Sequence, residues 1–499
     1  MALIALLYGV AACLLAVYGA NALVLTALFF RHRTRPVSSP LVADEALPTV
    51  TIQLPIYNEK YVAARLIDAV CALDYPRDRL QIQVLDDSTD ETVGLIAHRV
   101  RRWRRRGVII EQVRRPTRDD YKAGALRHGL ASATGEFVAI FDADFVPGPG
   151  WLRQTVARFC QPGTQRLGLV QTRWSHLNDS YSPLTRAQAL ALDGHFGVEQ
   201  AARASAGLLF NFNGTAGLWR RACIEQAGGW SGSTLSEDLD LSYRAQLAGW
   251  NLAYDATITA PAEIPAQVAS FKRQQYRWAK GSMQVARTLG GSVLRAPLAP
   301  FQKAQAAIHL TAYSLHPLLI LLLILTLPLL AWGWPSNLAS HQDLVTWLSI
   351  SGLGAPLLYA VAQQSLYGSE WRSRYKWMPL LVLLGTGVAL SNAAAVLEGL
   401  FGARGGEFRR TPKFRLEGQS GSWKGSDYIP QVDWTTWGEL ALSVYALLGC
   451  LVAAREEQWF AIPFLLVYVL AFGWVAALSL WQARASTTYR PRPRRARSL

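Results

Sequence analysis

Two aspartates separated by one residue, Asp142 and Asp144, have the type and spacing to hold a divalent cation against phosphate groups. Their carboxylates would repel a diphosphate unless a cation lay between them, and hard oxygen ligands of this kind suit Mg²⁺ or Mn²⁺. A turn capped by aspartates, with the chain breaking at Pro147, would give the same pattern. The pair alone leaves both interpretations open.

Two further segments carry residues of catalytic types. Glu237 and Asp238 follow a serine and precede a helical pattern, where the serine would also serve as an N-cap and the acids would favour the helix dipole. Gln274, Arg277 and Trp278 place an amide, a guanidinium and an indole on nearly one face of a helix. A basic amphipathic helix lying on a membrane surface would show the same spacing.

The elements that must position these residues read as alternating strands and helices. Three short apolar runs predict buried parallel strands at residues 48–55, 80–85 and 137–141. Helix-like segments follow the first two, at residues 60–73 and 89–105. This order predicts a doubly wound α/β sheet, whose ligands lie beyond the carboxyl ends of the strands. Because neither a GxGxxG nor a GxxxxGK[ST] pattern is present, dinucleotide-binding and P-loop functions are excluded.

Composition indicates a membrane protein. The 499 residues include 50 Lys or Arg and 35 Asp or Glu, a formal charge of +15, while 51% of residues are hydrophobic and 17% are charged. Five cysteines are too few for a disulfide-rich secreted module, and the apolar content excludes a disordered chain. The basic run at residues 99–106 is more typical of a solvated helix near anionic lipid than of a nucleic-acid site, so we expect no nucleic-acid partner.

Charge along the chain predicts five membrane spans. Residues 1–30 carry no charge and end in a basic flank, which places the next segment in the cytosol. Further spans are expected near residues 308–334, 344–366, 436–454 and 459–482. Residues 377–401 are expected to lie flat at the interface, because the basic segments on either side of the last two spans then face the cytosol. The resulting regions are an anchor (1–35), a cytosolic domain (36–300), two spans (301–376), an interfacial helix and loop (377–433), two spans (434–483) and a basic tail (484–499).

An ordered set of motifs carries a family resemblance. It consists of Asp87, Asp142 with Asp144, Ser236 with Glu237 and Asp238, and Gln274 with Arg277 and Trp278. In this order and between membrane spans, the set resembles the processive family 2 glycosyltransferases, such as cellulose synthase and hyaluronan synthase. Residues 170–230 are especially similar to the cellulose-synthase-like A and C proteins, which make β-1,4-mannan or glucomannan backbones and the glucan backbone of xyloglucan. The resemblance is strong over residues 48–290, and it implies a nucleotide-sugar-binding domain of the GT-A type between membrane helices.

A loop after the interfacial segment adds to the resemblance. Phe408, Thr411 and Lys413 are similar to the F-x-V-T-x-K gating loop of cellulose synthase, which closes over the donor. Arg410 stands where the family pattern has valine, so the match is imperfect, and a plain solvated basic loop is the alternative. The loop must be cytosolic to meet a donor, which agrees with the orientation predicted from charge.

The resemblance implies a role for each motif residue. On the donor side it assigns Tyr57, Glu59 and Asp87 to the nucleobase and ribose, Lys122 and Arg277 to the diphosphate, Asp144 to the metal, and Asp142 to the nucleoside or to a position behind the metal. On the acceptor side it assigns stacking on the terminal sugar to Trp278, with Gln274, Phe212, Asn213, Gly214 and Thr215 nearby. Asp238 is the expected general base, with Glu237 raising its pKa. One base and no nucleophile imply a single displacement with inversion.

We therefore expect a membrane-embedded enzyme that polymerises a β-linked, β-1,4 hexosyl polysaccharide from UDP-glucose or GDP-mannose and moves it across the bilayer. The alternative is a lipid glycosyltransferase of the ceramide glucosyltransferase type, which adds one sugar. A non-catalytic scaffold is a third hypothesis, against which the complete acidic set argues. The expected partners are the nucleotide sugar, the growing polysaccharide and the lipid bilayer, and the expected location is the bacterial inner membrane with the catalytic domain in the cytoplasm.

Overall fold

The computed structural model describes residues 1–32, 42–333, 350–403, 405–406 and 410–487. The strands are β1 (Val50–Ile56), β2 (Leu80–Asp86), β3 (Ile110–Val113), β4 (Phe137–Ile140), β5 (Leu167–His176), β6 (Gly217–Arg220) and β7 (Asn251–Ala262). The helices up to residue 295 are α1 (Ala2–Arg31), α2 (Ala63–Cys71), α3 (Thr92–Arg104), α4 (Tyr121–Ala131), α5 (Trp151–Phe159), α6 (Pro183–Gly194), α7 (Gln200–Ser205), α8 (Arg221–Gln226), α9 (Glu237–Leu247) and α10 (Val268–Arg295). After them come α11 (Pro300–Leu310), α12 (Leu315–Trp332), α13 (Gly354–Tyr367), α14 (Trp371–Tyr375), α15 (Met378–Gly387), α16 (Ala389–Phe401), α17 (Trp434–Arg455) and α18 (Ile462–Thr487).

Seven strands between Val50 and Ala262 form one mixed sheet. Its strand order is β3-β2-β1-β4-β6-β5-β7, in which β3, β2, β1 and β4 run parallel. β6 runs antiparallel to both β4 and β5, and β5 and β7 are parallel. The three strands predicted from the sequence are confirmed as β1, β2 and β4, with helices after β1 and β2 as expected. The carboxyl ends of the parallel strands meet at one edge, where Ile56 pairs with Asp86.

The central strands β1, β2 and β4 are largely buried on both faces of the sheet. The two buried glutamines Gln53 and Gln83 hydrogen-bond to each other at 3.1 Å. On one face Ile52 and Leu54 of β1 pack with residues of α2, α3 and α5. On the other face Val138 and Ile140 of β4 pack with residues of α4, α8 and α9. Each such fully buried aliphatic side chain contributes about 1.5–3 kcal/mol of transfer free energy. The two cores hold the carboxyl edge of the sheet in a fixed position.

Four helices within the described ranges are long and apolar enough to cross a membrane. They are Ala2–Arg31, Ala312–Trp332, Trp434–Arg455 and Trp459–Ala485. They coincide with four of the five spans predicted from the sequence, whereas the fifth, near residues 344–366, lies partly outside the described residues. α1 contacts α13 where the two backbones come close, since a Cβ on Gly354 would lie 1.9 Å from the carbonyl oxygen of Gly19. Small residues of this kind let membrane helices pack at short range.

Residues 378–401 form a bent pair of helices rather than one straight helix. α15 and α16 meet at Val388 with an angle of 49° between them. α16 packs along α10, where Lys280 pairs with Glu398 at 3.0 Å. A Cβ on Gly399 would lie 2.7 Å from the carbonyl oxygen of Lys280, so glycine is needed for this approach. The geometry fits either a broken span or an interfacial segment, and the interfacial placement stays a prediction.

Candidate active site

The carboxyl ends of β1 and β2 carry the predicted nucleobase residues. Asp87 follows β2 and receives two hydrogen bonds from the guanidinium of Arg115, at 2.8 and 2.7 Å. Tyr57 follows β1, and the guanidinium of Arg118 lies over its ring at 3.4 Å. The backbone beside these residues is strained, since Asn58 and Tyr121 both have positive φ angles, 55° and 46°. The structure therefore brings Tyr57 and Asp87 to one edge, as the motif roles require.

Lys122 joins the two acidic motifs. Its Nζ lies 2.6 Å from Oδ1 of Asp142 and 3.7 Å from Oε1 of Glu237, and it donates to the carbonyl oxygen of Gly214 at 2.9 Å. Burial alone would lower the pKa of this lysine, but the carboxylates of Asp142 and Glu237 outweigh burial and raise the pKa above its usual value. Lys122 is therefore an ammonium fixed between the strand-end aspartate and the first turn of α9.

The pKa of Asp238 is raised toward neutral pH. Burial and, next, the negative charge of Glu237 raise the pKa of Asp238 to about 7, although Lys122 opposes the shift. Its Oδ2 faces Gly214, where an added Cβ would lie only 2.9 Å away and where φ is +82°. A side chain at position 214 would therefore crowd Asp238 and strain the backbone. In the described part of the chain, Ser236 makes no capping hydrogen bond with its side chain, so the simple N-cap explanation of this motif is not realised.

The residues at the end of β4 fit a divalent cation shared with donor phosphates. Asp142 and Asp144 offer carboxylate oxygens, and Asp144 is largely buried. Among the described residues no group of three or more histidine, cysteine, aspartate or glutamate side chains is arranged to hold a metal. Mg²⁺ is commonly held by one or two carboxylates with the remaining ligands from substrate phosphates and water. The donor set suits such a cation and does not form a closed protein cage.

Glu59 lies at the same edge in a buried position. Burial raises the pKa of its carboxyl to about 8, while the neighbouring Arg410 acts to lower it. Arg410 approaches Glu59 at 3.3 Å and lies over the ring of Tyr428 at 4.2 Å. Tyr428 in turn donates to the carbonyl oxygen of Asn58 at 2.8 Å. Arg410, which stands where the family pattern has valine, therefore places a positive charge beside the buried carboxyl of Glu59.

The predicted gating-type loop reaches this edge. Lys413 places its Nζ 2.6 Å from Oδ2 of Asp144. Thr411 is partly buried nearby, with a buried hydroxyl that has no hydrogen-bond partner among the described residues. Phe408, the third predicted loop residue, lies outside the described residues. A solvated basic loop, the alternative from the sequence, does not describe Lys413, whose ammonium is buried.

The four residues from Phe212 to Thr215 do not share one environment. Phe212 is fully buried, and its ring packs at 5.6 Å from that of Trp219, so its side chain belongs to the core. Thr215 accepts a hydrogen bond from the backbone N–H of Asp142 at 3.0 Å, which fixes the strand end. The side-chain oxygen of Asn213 lies 3.0 Å from Nε2 of His195. Acceptor contact stays a prediction for Asn213 and Gly214, while Phe212 and Thr215 position their neighbours.

The three residues predicted on α10 stand on a helix that contacts α9, and their contact with an acceptor stays a prediction. Gln274, Arg277 and Trp278 are half-buried, and the charge of Arg277 is close enough to lower the pKa of Asp238. Lys272, on the same helix, forms a buried ion pair with Glu439 of α17 at 2.8 Å. The helix is thereby tied to the membrane helices while its other face meets the acidic motif. Arg277 and Asp238 are brought together as predicted.

A family model described as "Glycosyltransferase like family 2" matches residues 48–281. This domain belongs to glycosyltransferase family 2. The family 2 domain carries all the acidic motifs and the α10 motif, and the resemblance stated from the sequence is confirmed.

Curated relatives extend the comparison. The chain is 42% identical over 260 residues to the probable glucomannan 4-beta-mannosyltransferase 3 of Oryza sativa subsp. japonica, which covers 51% of this chain and 47% of that protein. It is 39% identical over 303 residues to the glucomannan 4-beta-mannosyltransferase 2 of Arabidopsis thaliana, which covers 59% of this chain and 56% of that protein. The chain thus spans about half the length of the curated relatives it matches.

A solved structure supports the fold of the family 2 domain. A mannosyltransferase from Pyrobaculum calidifontis, solved in complex with GDP-Man and Mn²⁺, aligns with a TM-score of 0.50 and 23% sequence identity, over 73% of this chain and 100% of that chain. The alignment confirms the predicted GT-A class, an α/β sheet flanked here by candidate membrane helices.

Two residues of the family 2 domain were missed from the sequence. Arg115, the partner of Asp87, stands in a basic stretch where nothing distinguishes it from Arg114. Glu263 follows β7, and its carboxylate accepts hydrogen bonds from two backbone N–H groups of the loop that carries Lys413. The available signal was a lone acid between two prolines, Pro261 and Pro265, at the end of an apolar run.

Proposed function

We propose that the chain is a membrane-embedded β-mannan synthase of the glucomannan 4-β-mannosyltransferase type. The observation that supports this proposal most strongly is a cluster at the carboxyl edge of the sheet in the family 2 domain. In it Lys122 bridges Asp142 and Glu237. Asp238 lies beside them. The relatives named glucomannan 4-beta-mannosyltransferase support a mannosyl product. The neighbour solved with GDP-Man supports GDP-mannose, rather than UDP-glucose, as the donor.

The donor is held along the carboxyl edge of the sheet. Tyr57 and Asp87 bind the nucleobase and ribose, and the ammonium of Lys122 meets the diphosphate as a point charge. Asp144, with Asp142, holds a divalent cation, Mg²⁺ or Mn²⁺, and when bound that cation neutralises charge on the phosphate oxygens. The Mn²⁺ of the solved mannosyltransferase supports this assignment.

Transfer is a single displacement at the anomeric carbon. Asp238 accepts the proton of the acceptor 4-hydroxyl, the hydroxyl oxygen forms the new bond to C1, and the bond from C1 to the diphosphate oxygen breaks. Lys122 and Arg277 stabilise the charge that develops on the leaving diphosphate. Trp278 stacks on the terminal sugar of the acceptor and orients its hydroxyl, with Gln274 beside it. The product is a β-linkage from an α-linked donor, with a nucleoside diphosphate released.

Elongation is proposed to take place at a membrane surface. The domain lies in the chain between α1 and the last candidate spans, and α10 is tied to α17 by the Lys272–Glu439 ion pair. We propose a cytosolic catalytic domain that passes its polysaccharide through the membrane helices. The relatives reported are plant proteins, and a bacterial inner membrane remains a prediction from composition.

Product analysis tests this function. Membranes containing the full chain are incubated separately with labelled GDP-mannose and labelled UDP-glucose in the presence of Mg²⁺ or Mn²⁺. We expect a ladder or polymer from GDP-mannose that endo-β-1,4-mannanase degrades. A single labelled glycolipid would favour the lipid glycosyltransferase alternative, polymer from UDP-glucose alone would overturn the mannosyl assignment, and no transfer from either donor would overturn the function.

A further inference from the structure

One buried carboxylate binds the backbone of residues 410–417, a segment that is also held by the pair of Arg410 with Glu59 and by the packing of Phe414 and Leu416. Oε1 of Glu263 accepts a hydrogen bond from the backbone N–H of Phe414 at 2.7 Å, and Oε2 accepts one from Leu416 at 3.0 Å. Glu263 is only 3% exposed. Both of its oxygens are therefore engaged by the backbone of a segment that lies 151 residues or more away in the chain.

The charge of Glu263 is compensated where it is buried. Arg65 of α2 approaches Oε2 at 3.3 Å, and its other nitrogen reaches Glu417 at 2.9 Å. Hydrogen bonds from backbone amides to an ionised carboxylate are roughly twice as strong as neutral ones. Burial of an ion is tolerated only when its remaining lone pairs are satisfied, as they are here. Glu263 is thus a buried anchor for the segment.

The anchor places Lys413 on the aspartate assigned to the metal. Nζ of Lys413 lies 2.6 Å from Oδ2 of Asp144 and 2.6 Å from the backbone carbonyl oxygen of Glu263. Lys413 and Asp144 are 7% and 9% exposed, so water screens this pair little. A divalent cation binding the same carboxylate oxygen would meet the ammonium at close range. Two cations cannot both occupy this position without strong repulsion.

Each of the two aspartates after β4 pairs with a lysine, and the two lysines belong to different parts of the chain. Lys122, on Asp142, belongs to α4 inside the domain. Lys413, on Asp144, belongs to the segment whose backbone Glu263 binds. Lys413 therefore reaches Asp144 only through the tertiary contacts of its segment, whereas Lys122 belongs to a helix of the domain that carries Asp142.

We propose that Glu263 is a positioning residue which docks residues 410–417 and holds Lys413 on Asp144, so that Lys413 and a divalent cation compete for that carboxylate. This inference rests on the proposed function only in taking Asp144 as the residue that binds the cation. A donor diphosphate offers the displaced ammonium new oxygen partners, so cation and donor bind with positive coupling. The segment thereby disfavours cation binding to a site without donor.

Manganese binding to the full chain without nucleotide tests the competition. Free Mn²⁺ is titrated by electron paramagnetic resonance with wild type, Lys413→Met and Glu263→Gln in detergent. If Lys413 occupies Asp144 most of the time, its removal lowers the Kd for Mn²⁺ by about tenfold. Glu263→Gln is expected to lower the Kd in the same direction by a smaller factor, because docking is weakened and Lys413 is still present.

Matched variants control for charge and for the loop itself. Glu417→Gln removes an exposed carboxylate from the same Arg65, and Lys424→Met removes a loop lysine that lies over the ring of Trp481 at 5.4 Å. Neither contacts Asp144, and both are expected to leave the Kd for Mn²⁺ unchanged. A Kd for Lys413→Met that is unchanged or higher than in wild type would overturn the competition.

Hydrogen exchange tests the docking independently. The amides of Phe414 and Leu416 are expected to exchange faster in Glu263→Gln than in wild type, and to keep their protection in Glu417→Gln. Unchanged protection in Glu263→Gln, with thermal melting showing a folded protein, would overturn the anchoring role. Neither measurement uses transfer activity, so failure of the mannan assay and failure of this proposal are distinguishable.

Discussion

Nζ of Lys122 lies 2.6 Å from Oδ1 of Asp142 and so joins the start of α4 to the end of β4. The same ammonium is 3.7 Å from Glu237, at the start of α9. Three segments that are distant in the sequence therefore share one buried cation. Its charge lowers the pKa of Asp238, and the contact of Lys122 with a leaving diphosphate is part of the proposed function.

Removing the Lys122 ammonium is expected to weaken nucleotide binding. Lys122→Met loses a charge-assisted contact worth about 1.5–3 kcal/mol, which corresponds to a rise of about ten- to a hundredfold in the Kd for GDP. Calorimetry on the purified chain measures the change. Lys303→Met removes a half-buried lysine on α11, whose ammonium donates to a backbone carbonyl oxygen, and serves as the control. A Kd for GDP equal to that of wild type would contradict the assignment of Lys122.

The pH profile of transfer is expected to follow Asp238. Since a general base acts when deprotonated, kcat/KM should rise with pH and level off above a pKa of about 7. Glu237→Gln removes the negative neighbour, so the pKa of Asp238 should fall and the acidic limb of the profile should move to lower pH. An acidic limb that stays in place would show that another group is titrating.

Glu59 should make stability depend on pH. Its pKa is raised from 4.5 to about 8 in the folded chain, so the unfolded chain loses the proton first as pH rises. Wild type is therefore expected to lose stability between pH 4.5 and about 8, whereas Glu59→Gln lacks this contribution. Melting temperatures of both proteins across this range measure the difference. Parallel curves would mean that Glu59 is not buried as described.

The ion pair between α10 and α17 is expected to support the attachment of the domain. Lys272→Met leaves Glu439, which is fully buried, without the ammonium that lies 2.8 Å away, at a cost of about 3–5 kcal/mol. Adding Glu439→Gln removes the uncompensated charge and should restore most of the melting temperature. Additive losses in the double variant would indicate that the two residues act independently.

The sequence predicted those parts of the fold that depend on local pattern. β1, β2 and β4 are short segments rich in aliphatic residues and are largely buried on both faces, and only β4 is an uninterrupted apolar run. β3 was not predicted because it is four residues long and includes the half-buried Glu111 and Gln112. The antiparallel direction of β6 depends on contacts with β4 and β5 and leaves no mark in its own four residues.

The candidate site follows the same division. Its acids could be named because each follows an apolar run or opens a helix, as Asp142 and Asp238 do. The partners that set their charge could not, since Arg115 and Glu263 meet their targets only through tertiary contacts. The contact of Lys413 with Asp144 joins residues 269 positions apart, and no spacing rule connects them.

Asp238→Asn tests whether Asp238 removes the acceptor proton at this site. Polymer formation from the donor that wild type uses, and binding of the corresponding nucleoside diphosphate, are measured on the same preparation. Transfer is expected to fall by about 10²- to 10⁴-fold. The Kd of the nucleotide is expected to stay unchanged. Transfer that persists at close to the wild-type rate, with the nucleotide bound normally, would contradict the role of Asp238 as the base.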